Sequence, residues 1–302
     1  MTDVATGPKP GRGETPLGRI VRDFARSKIA VASLAIFVLL ILLAVFAPLV
    51  APQNPYDLAQ LSILDGMLPP GSESFEGMVY WLGTDDQGRD MLSAILYGLR
   101  VSLGVGVSST VIALAIGIVA GLTAAYFGGK VDSLVMRVVD LQLGFPSILL
   151  ALILLAILGK GVDKVVIALV AVQWAYYART IRGAALVERK REYIEAATCL
   201  GLDHRRIVLG HLMPNCLPPL IVVATVQVAH AIALEATLSF LGVGVPVTEP
   251  SLGMLIANGF DYLLSGHMWI SIYPGIALVI TIVSINLVGD QLRDVLNPRL
   301  QR

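Results

Sequence analysis

Glu235 is the one charged residue in the run 212–248, and His230 lies in the same run. An ionised side chain at the centre of a bilayer costs about 2.5–3.5 kcal/mol on insertion scales, so Glu235 must face protein or water. Two roles stay open for it: a channel-lining group that meets substrate or gates a path, and a hydrogen-bond or ion-pair partner of a neighbouring span. His230 is read as structural. Ser239 follows Glu235 by four residues and His230 by nine. An intramembrane hydrolase would need such a nucleophile and base to meet inside the bundle, and no motif frames these residues as a catalytic set; none is assigned. The loop 83–90 is rich in carboxylates and glycine, which raises the question of calcium. An EF-hand wants oxygen ligands at alternate positions and glycine at the sixth. Counted from Asp85, the third residue is Gln87, the fifth Arg89 and the sixth Asp90. The spacing fails, and the loop reads as an Asp/Gly turn held by local hydrogen bonds and ion pairs. Gly129-Lys130 is followed by Val131 and Gly159-Lys160 by Gly161, so neither completes the phosphate-cradling GxxxxGK[ST] loop. ATP, if used, is held by another chain. Cys199 and Cys216 make neither a disulfide framework nor a zinc site.

The elements that must hold these residues follow from composition. Of 302 residues, 56% are hydrophobic and 15% charged, against about 25% charged in a soluble domain; the solvent of this chain is lipid. The 22 basic residues balance 22 acidic ones, and nothing marks a nucleic-acid surface. A bilayer core needs roughly 20 apolar helical residues. Uncharged runs of that order occur at 29–50, 101–129, 141–159 and 268–289, and 212–248 is a fifth. A sixth, 165–178, reaches only about 21 Å by itself and must borrow its continuation, where Arg179 and Arg182 can snorkel. The first run follows a tail of 28 residues and exceeds the roughly 7–15 residues of a signal h-region, so it reads as an uncleaved span. Gly117 and Gly121 form a GxxxG pair that suits close helix packing, within the bundle or against a sister subunit. Pro146, Pro218, Pro219 and Pro274 read as entry and kink devices.

Charge placement sets orientation. The tail 1–28 holds Lys9, Arg12, Arg19, Arg22, Arg26 and Lys28, whereas 51–99 holds seven acids and one base, Arg89. Seven bases fall in 179–211, none in 249–267, and the C-terminal tail has Arg293, Arg299 and Arg302. Six crossings with both termini inside put 18 of 22 bases on the cytoplasmic side; five or seven would break the pattern. Between the fourth and fifth spans lies the polar segment 182–215, in which 192–200 has good helix formers. Gly201 stands where a left-handed cap is wanted, Asp203 is a fair N-cap for a helix over 204–212, and Pro214 stops that helix or starts the next. Two short helices joined by a tight turn can fit a groove on another protein, or can be a solvated hairpin that only connects spans.

The residues of this segment resemble a known signature. Glu195-Ala196-Ala197, then Gly201, then His211-Leu-Met-Pro214-Asn215, is similar to the EAA motif of bacterial ABC-importer permeases. Further stretches resemble the C-type permease of dipeptide/oligopeptide importers: Trp81-Leu-Gly-Thr-Asp-Asp-Gln-Gly-Arg-Asp90, Arg100-Val-Ser-Leu103, Tyr126-Phe-Gly-Gly129, Met136-Arg-Val-Val-Asp140 with Phe145-Pro146, Glu235-Ala-Thr-Leu-Ser-Phe-Leu-Gly242 and Asn286-Leu-Val-Gly-Asp-Gln-Leu-Arg-Asp294. Asn297-Pro298 departs from the family's more usual Asp-Pro. The resemblance implies an all-α integral membrane protein of six spans, a type I ABC importer permease, in a bacterial cytoplasmic (inner) membrane. It divides the chain into a cytoplasmic tail 1–28, a first span 29–50, an extracytoplasmic loop 51–99, a permease core 100–290 with an ATPase-coupling segment 192–214, and a cytoplasmic tail 291–302. Glu195, Ala196, Ala197, Gly201 and Pro214 would carry the coupling, the alanines letting a partner approach closely. The implied partners are a second, B-type permease, two ATP-binding subunits and an extracytoplasmic peptide-binding protein. No cofactor or metal is expected on this chain, ATP and Mg lying on the ATPases. Alternatives are the same fold importing another solute such as a nickel chelate, and an ion-coupled secondary transporter. The latter usually shows paired broken helices in two related halves, and no internal repeat is visible.

Overall fold

The computed structural model describes residues 16–57, 61–74, 77–246 and 248–296; Lys9, Arg12, Asn297-Pro298, Arg299 and Arg302 lie outside them. In chain order the elements are α1 (Pro16–Ala25), α2 (Lys28–Val45), α3 (Ala47–Val50), β1 (Ser72–Glu73), β2 (Val79–Tyr80), α4 (Met91–Phe127), α5 (Gly129–Leu143), α6 (Ser147–Leu158), α7 (Val162–Glu188), α8 (Glu192–Cys199), α9 (His204–Ile207), α10 (Met213–Phe240), α11 (Leu252–Phe260) and α12 (Trp269–Leu296). β1 and β2 pair antiparallel, Ser72 opposite Tyr80. The other regular elements among the described residues are helical, as membrane-spanning segments must be when lipid offers their backbone no hydrogen bonds.

Four of the described helices are long and apolar enough to cross a membrane: α2, α4, His204–Phe240 and α12. The pair α5–α6 bends by 92° at its break and would make a fifth span if counted as one. The run 141–159 therefore does not form one straight rod. Pro146 disfavours the helical conformation at Phe145 and supplies no N–H, so the chain turns there, and the 12 residues of α6 cover only about 18 Å. α7, at 27 residues, is long enough, and Asp163, Lys164, Arg179, Arg182 and Glu188 stand toward its two ends.

Other boundaries move as well. α4 begins at Met91, ten residues before the uncharged run 101–129, because Asp90 caps it by accepting from Ser93 N at 2.8 Å and Met91, Ala94, Ile95 and Leu99 are buried. The expected second hairpin helix is not a separate element. α9, a π-helical turn at Val208–Leu212 and α10 run on as one helix of 37 residues, His204–Phe240. Pro214 stands in the first turn of α10 without breaking the run. The wider π turn, closed by Met213 N–H on the Val208 carbonyl, takes up the residue that cannot donate. The stretch 249–267, read from sequence only as a connection without bases, contains the buried helix α11.

α7 is the hub, packed against α4, α10, α6 and α5. Its inner stripe is small or branched: Val165, Ala168, Leu169, Val172, Ala175, Ala178, Ile181 and Ala185 are all buried. Opposite it on α4 lie Gly117 and Gly121. A β-carbon at Gly117 would sit 2.8 Å from the Trp174 carbonyl oxygen and 2.9 Å from Ala178 N, so this GxxxG pair packs inside the bundle. Ile29, Leu34, Leu39 and Leu42 of α2 are exposed, as a lipid-facing helix requires.

Candidate coupling and translocation site

α8 hangs at one end of the bundle, and two aromatic-basic contacts tie its surroundings to α4. Tyr126 OH and His204 Nδ1 are 2.5 Å apart. Arg189 stacks over the Tyr126 ring at 5.7 Å and donates to the Ala125 carbonyl at 3.0 Å. Tyr193 on α8 donates to Glu188 on α7 at 2.8 Å. Burial, then that carboxylate, push the Tyr193 phenol up to about 12. Arg182 makes a forked contact with Asp132, 2.5 and 2.6 Å, and Arg179 pairs with Asp140, so α5 is clamped to the same end of α7. Planar, two-pronged pairs of this kind fix orientation as well as distance. Sequence reasoning gave Tyr126, His204, Asp132 and Asp140 no role; Asp132 and Asp140 lie on α5, about 40–50 positions before the arginines they meet.

The five proposed coupling residues are not equivalent. Glu195 and Ala196 are on the exposed face of α8, beside Leu200 at 79% exposure. Ala197 is buried with Ile194 and packs in the cluster of Ile207 and Leu212. The expectation that both alanines meet a partner is thus corrected: a helix puts neighbours 100° apart, and Ala197 takes the inner side. Gly201 has φ +69°. Its N–H bonds to the Thr198 carbonyl and that of Leu202 to the Ala197 carbonyl, the paired bonds of a Schellman cap. Pro214 is exposed on the first turn of α10.

Beside this end a cavity of about 890 Å³ opens between α7, α10 and α12. Arg179, Glu188, Asn215, Gln227, Asp290 and Arg293 bring both signs of charge to its wall, and Pro218 and Pro219 line it too. Glu235 is not among them. It is fully buried near the far end of α10, where Oε2 accepts from Ser102 of α4 at 2.9 Å and Oε1 from Ser239 at 2.8 Å. Each serine oxygen also accepts a backbone N–H, Ser102 from Leu252 at 3.3 Å and Ser239 from Val245 at 3.2 Å. The channel-lining reading of Glu235 is replaced by the alternative: the carboxylate ties α4, α10 and the loop leading into α11. A hydroxyl already bound to that carboxylate is not free to meet His230, whose Nδ1 makes no hydrogen bond among the described residues.

At the far end the loop 83–90 is held by its own hydrogen bonds. Asp85 Oδ1 accepts from Gln87 N and Arg89 N at 2.9 Å each, and Arg89 Nε donates to Oδ2 at 2.6 Å. Both side chains are buried. Burial and the neighbouring Asp85 hold the Asp86 carboxyl above its ordinary value. Trp269 of α12 donates to the Thr84 carbonyl at 3.1 Å. Among the described residues no group of His, Cys, Asp or Glu could hold a metal ion.

Comparison with known proteins agrees with this architecture. The family model "binding-protein-dependent transport system inner membrane component" matches residues 113–302, and the N-terminal TM domain of oligopeptide transport permease C matches 15–70. The chain is 38% identical to the di/tripeptide transport system permease protein DppC of Pseudomonas aeruginosa, over 95% of this chain and 93% of that protein. It is 35% identical to the oligopeptide transport system permease protein OppC of Bacillus subtilis, over 92% and 88% respectively. A solved structure of the MetNI methionine ABC transporter in an inward-facing conformation superposes with a TM-score of 0.56 at 21% identity, covering 68% of this chain and 98% of that chain; at this identity the likeness is one of fold. With these matches over most of its length, the chain belongs to the family of binding-protein-dependent transport system inner membrane components.

Proposed function

We propose that this protein is one permease subunit of an ATP-driven importer that moves di- and oligopeptides across a bacterial inner membrane by alternating access. The observation that carries the reading is similarity to peptide permeases over more than nine-tenths of the chain. The cavity between α7, α10 and α12, lined by residues that flank α8 such as Glu188 and Asn215, supports it. The sixth crossing is α7, whose charged ends reach the headgroups while its middle stays in lipid depth, and both termini are cytoplasmic. A B-type permease completes the path, two ATPase subunits bind ATP and Mg, and a soluble protein delivers peptide to the far end. Glu195, Ala196, Gly201 and Pro214 form the surface that the ATPase grips, with Ala197 supporting it from inside.

Within this assembly the chain supplies geometry rather than bond chemistry. ATP binding draws the ATPases together and carries α8 with them. The Arg182–Asp132 and Arg179–Asp140 clamps pass the shift to α5 and α7, and the continuous helix from His204 passes it to the far end. The test is reconstitution of the whole complex in vesicles with labelled dipeptide. Accumulation that requires both ATP and the binding protein is the expected result. Uptake without an ATPase would sink the reading in favour of an ion-coupled transporter, and accumulation of a nickel chelate in place of peptide would change the substrate alone.

A further inference from the structure

The far end of the bundle holds a second cavity, of about 360 Å³, between α4 from Tyr97 to Ser108, the start of α7, the loop that precedes α11, and Tyr56. Its wall carries one charge of each sign on separate elements: Arg100 from α4, and Glu249 from the loop. Neither makes an ion pair with the other or with any described residue, although both face the same space. Opposite charges that could reach each other across water would gain little by closing up; left without an ion pair on the wall of one cavity, they suit a ligand that is itself bipolar. Tyr97 and Tyr56 meet edge to face, ring centroids 5.3 Å apart, and give the cavity a flat aromatic side. Tyr56 senses both charges: burial first and Glu249 second raise its phenol, while Arg100 pulls it down. One and two turns further along α4, Gly104 and Ser108 continue the wall. A β-carbon at Gly104 would meet no atom within 4 Å, so packing does not demand the glycine, and its bareness keeps the groove open.

We propose that this cavity is a subsite for the two ends of a zwitterionic peptide, Arg100 receiving the carboxylate and Glu249 the ammonium, with Tyr56 and Tyr97 along the chain between. The inference rests on the peptide-importer reading and adds that the permease itself reads free termini after the binding protein lets go. Guanidinium and carboxylate are suited to these partners through charge-assisted hydrogen bonds.

The experiment uses the complete reconstituted importer. Uptake of a free dipeptide is compared with that of its C-terminal amide, each at a concentration that saturates the binding protein, and docking of the binding protein is measured separately. Loss of one charge-assisted contact lowers uptake of the free dipeptide by about tenfold or more in Arg100→Gln and in Glu249→Gln. In Arg100→Gln the preference for the free dipeptide over its amide shrinks by about tenfold. Arg100→Lys and Glu249→Asp, which keep the charges, recover most of the uptake, which a purely structural role would not ensure. Uptake within twofold of normal in both charge-removing variants overturns the subsite. So does an equal loss for free and amidated peptide, or a loss accounted for by weaker docking. If the unsubstituted complex moves no peptide, the importer reading falls first, which is a different result.

Discussion

Glu235 answers to two requirements at once: a carboxylate inside an apolar bundle needs donors, and the loop after α10 needs something to hold it. Ser102 and Ser239 meet both, each donating to the carboxylate and accepting from the loop or from α11. Replacement by leucine leaves two buried hydroxyls without their acceptor, a cost of about 1–3 kcal/mol for each group stranded. Glu235→Leu is therefore expected to melt at a lower temperature in detergent, and Glu235→Gln, which keeps an acceptor, to lose much less. Transport by the two variants should fall in the same order as stability. Full stability combined with lost transport in Glu235→Gln would return the residue to the channel. The acid itself is legible in the sequence, as the single charge in an apolar run. Its partner Ser102 is 133 positions away, and no local pattern reports a contact made only when α4 and α10 pack.

At the scale of elements, α8 and its cap concentrate the mechanics. Gly201 at φ +69° occupies a region costly to a residue with a β-carbon and closed to proline, whose ring fixes φ near −65°. Gly201→Pro would displace the exposed face of α8 from the start of α10, and Glu195→Lys would reverse the charge on that face. Both are expected to keep ATP hydrolysis while uptake drops by roughly an order of magnitude, a separation of about 1.4 kcal/mol in coupling. Parallel assays of hydrolysis and uptake on one vesicle preparation check this, and normal uptake by both variants would take the coupling role from α8. The hairpin's first helix, its turn and the Asp203 cap, which accepts from Arg205 N at 3.3 Å, are all legible from capping chemistry. Three features are not. Pro146 marks the place of a kink between α5 and α6, but not its 92° size. α11 has nine residues, too few for a periodic signal to stand out. The π turn before Pro214 has no residue pattern of its own, although the proline that it accommodates is visible.

For the whole molecule, the distribution of Lys and Arg makes a prediction about sides. Cys199 is exposed on α8 and Cys216 is buried, which gives one native label at the α8 end. In intact spheroplasts a membrane-impermeant maleimide should leave Cys199 unmodified, and permeabilisation should expose it; labelling before permeabilisation would invert the topology. The fold class is legible because lipid imposes a coarse, length-based code of apolar runs on any chain that crosses it. The division into inner and outer faces of α7 is not, since in an apolar helix the residues facing lipid and those facing protein are chemically alike.

The uninterrupted helix His204–Phe240 has all its prolines, Pro214, Pro218 and Pro219, in the part nearest α8. From Leu220 onward it has none, a stretch of about 30 Å. Compliance is thus gathered at the driven tip, and the remainder behaves as a stiff oar. A swing of about 10° carries the blade some 5 Å sideways over that length, more than a hydroxyl–carboxylate bond can stretch. Either the lashed loop beyond Phe240 rides along with every stroke, or the serine knots at Glu235 untie once per cycle.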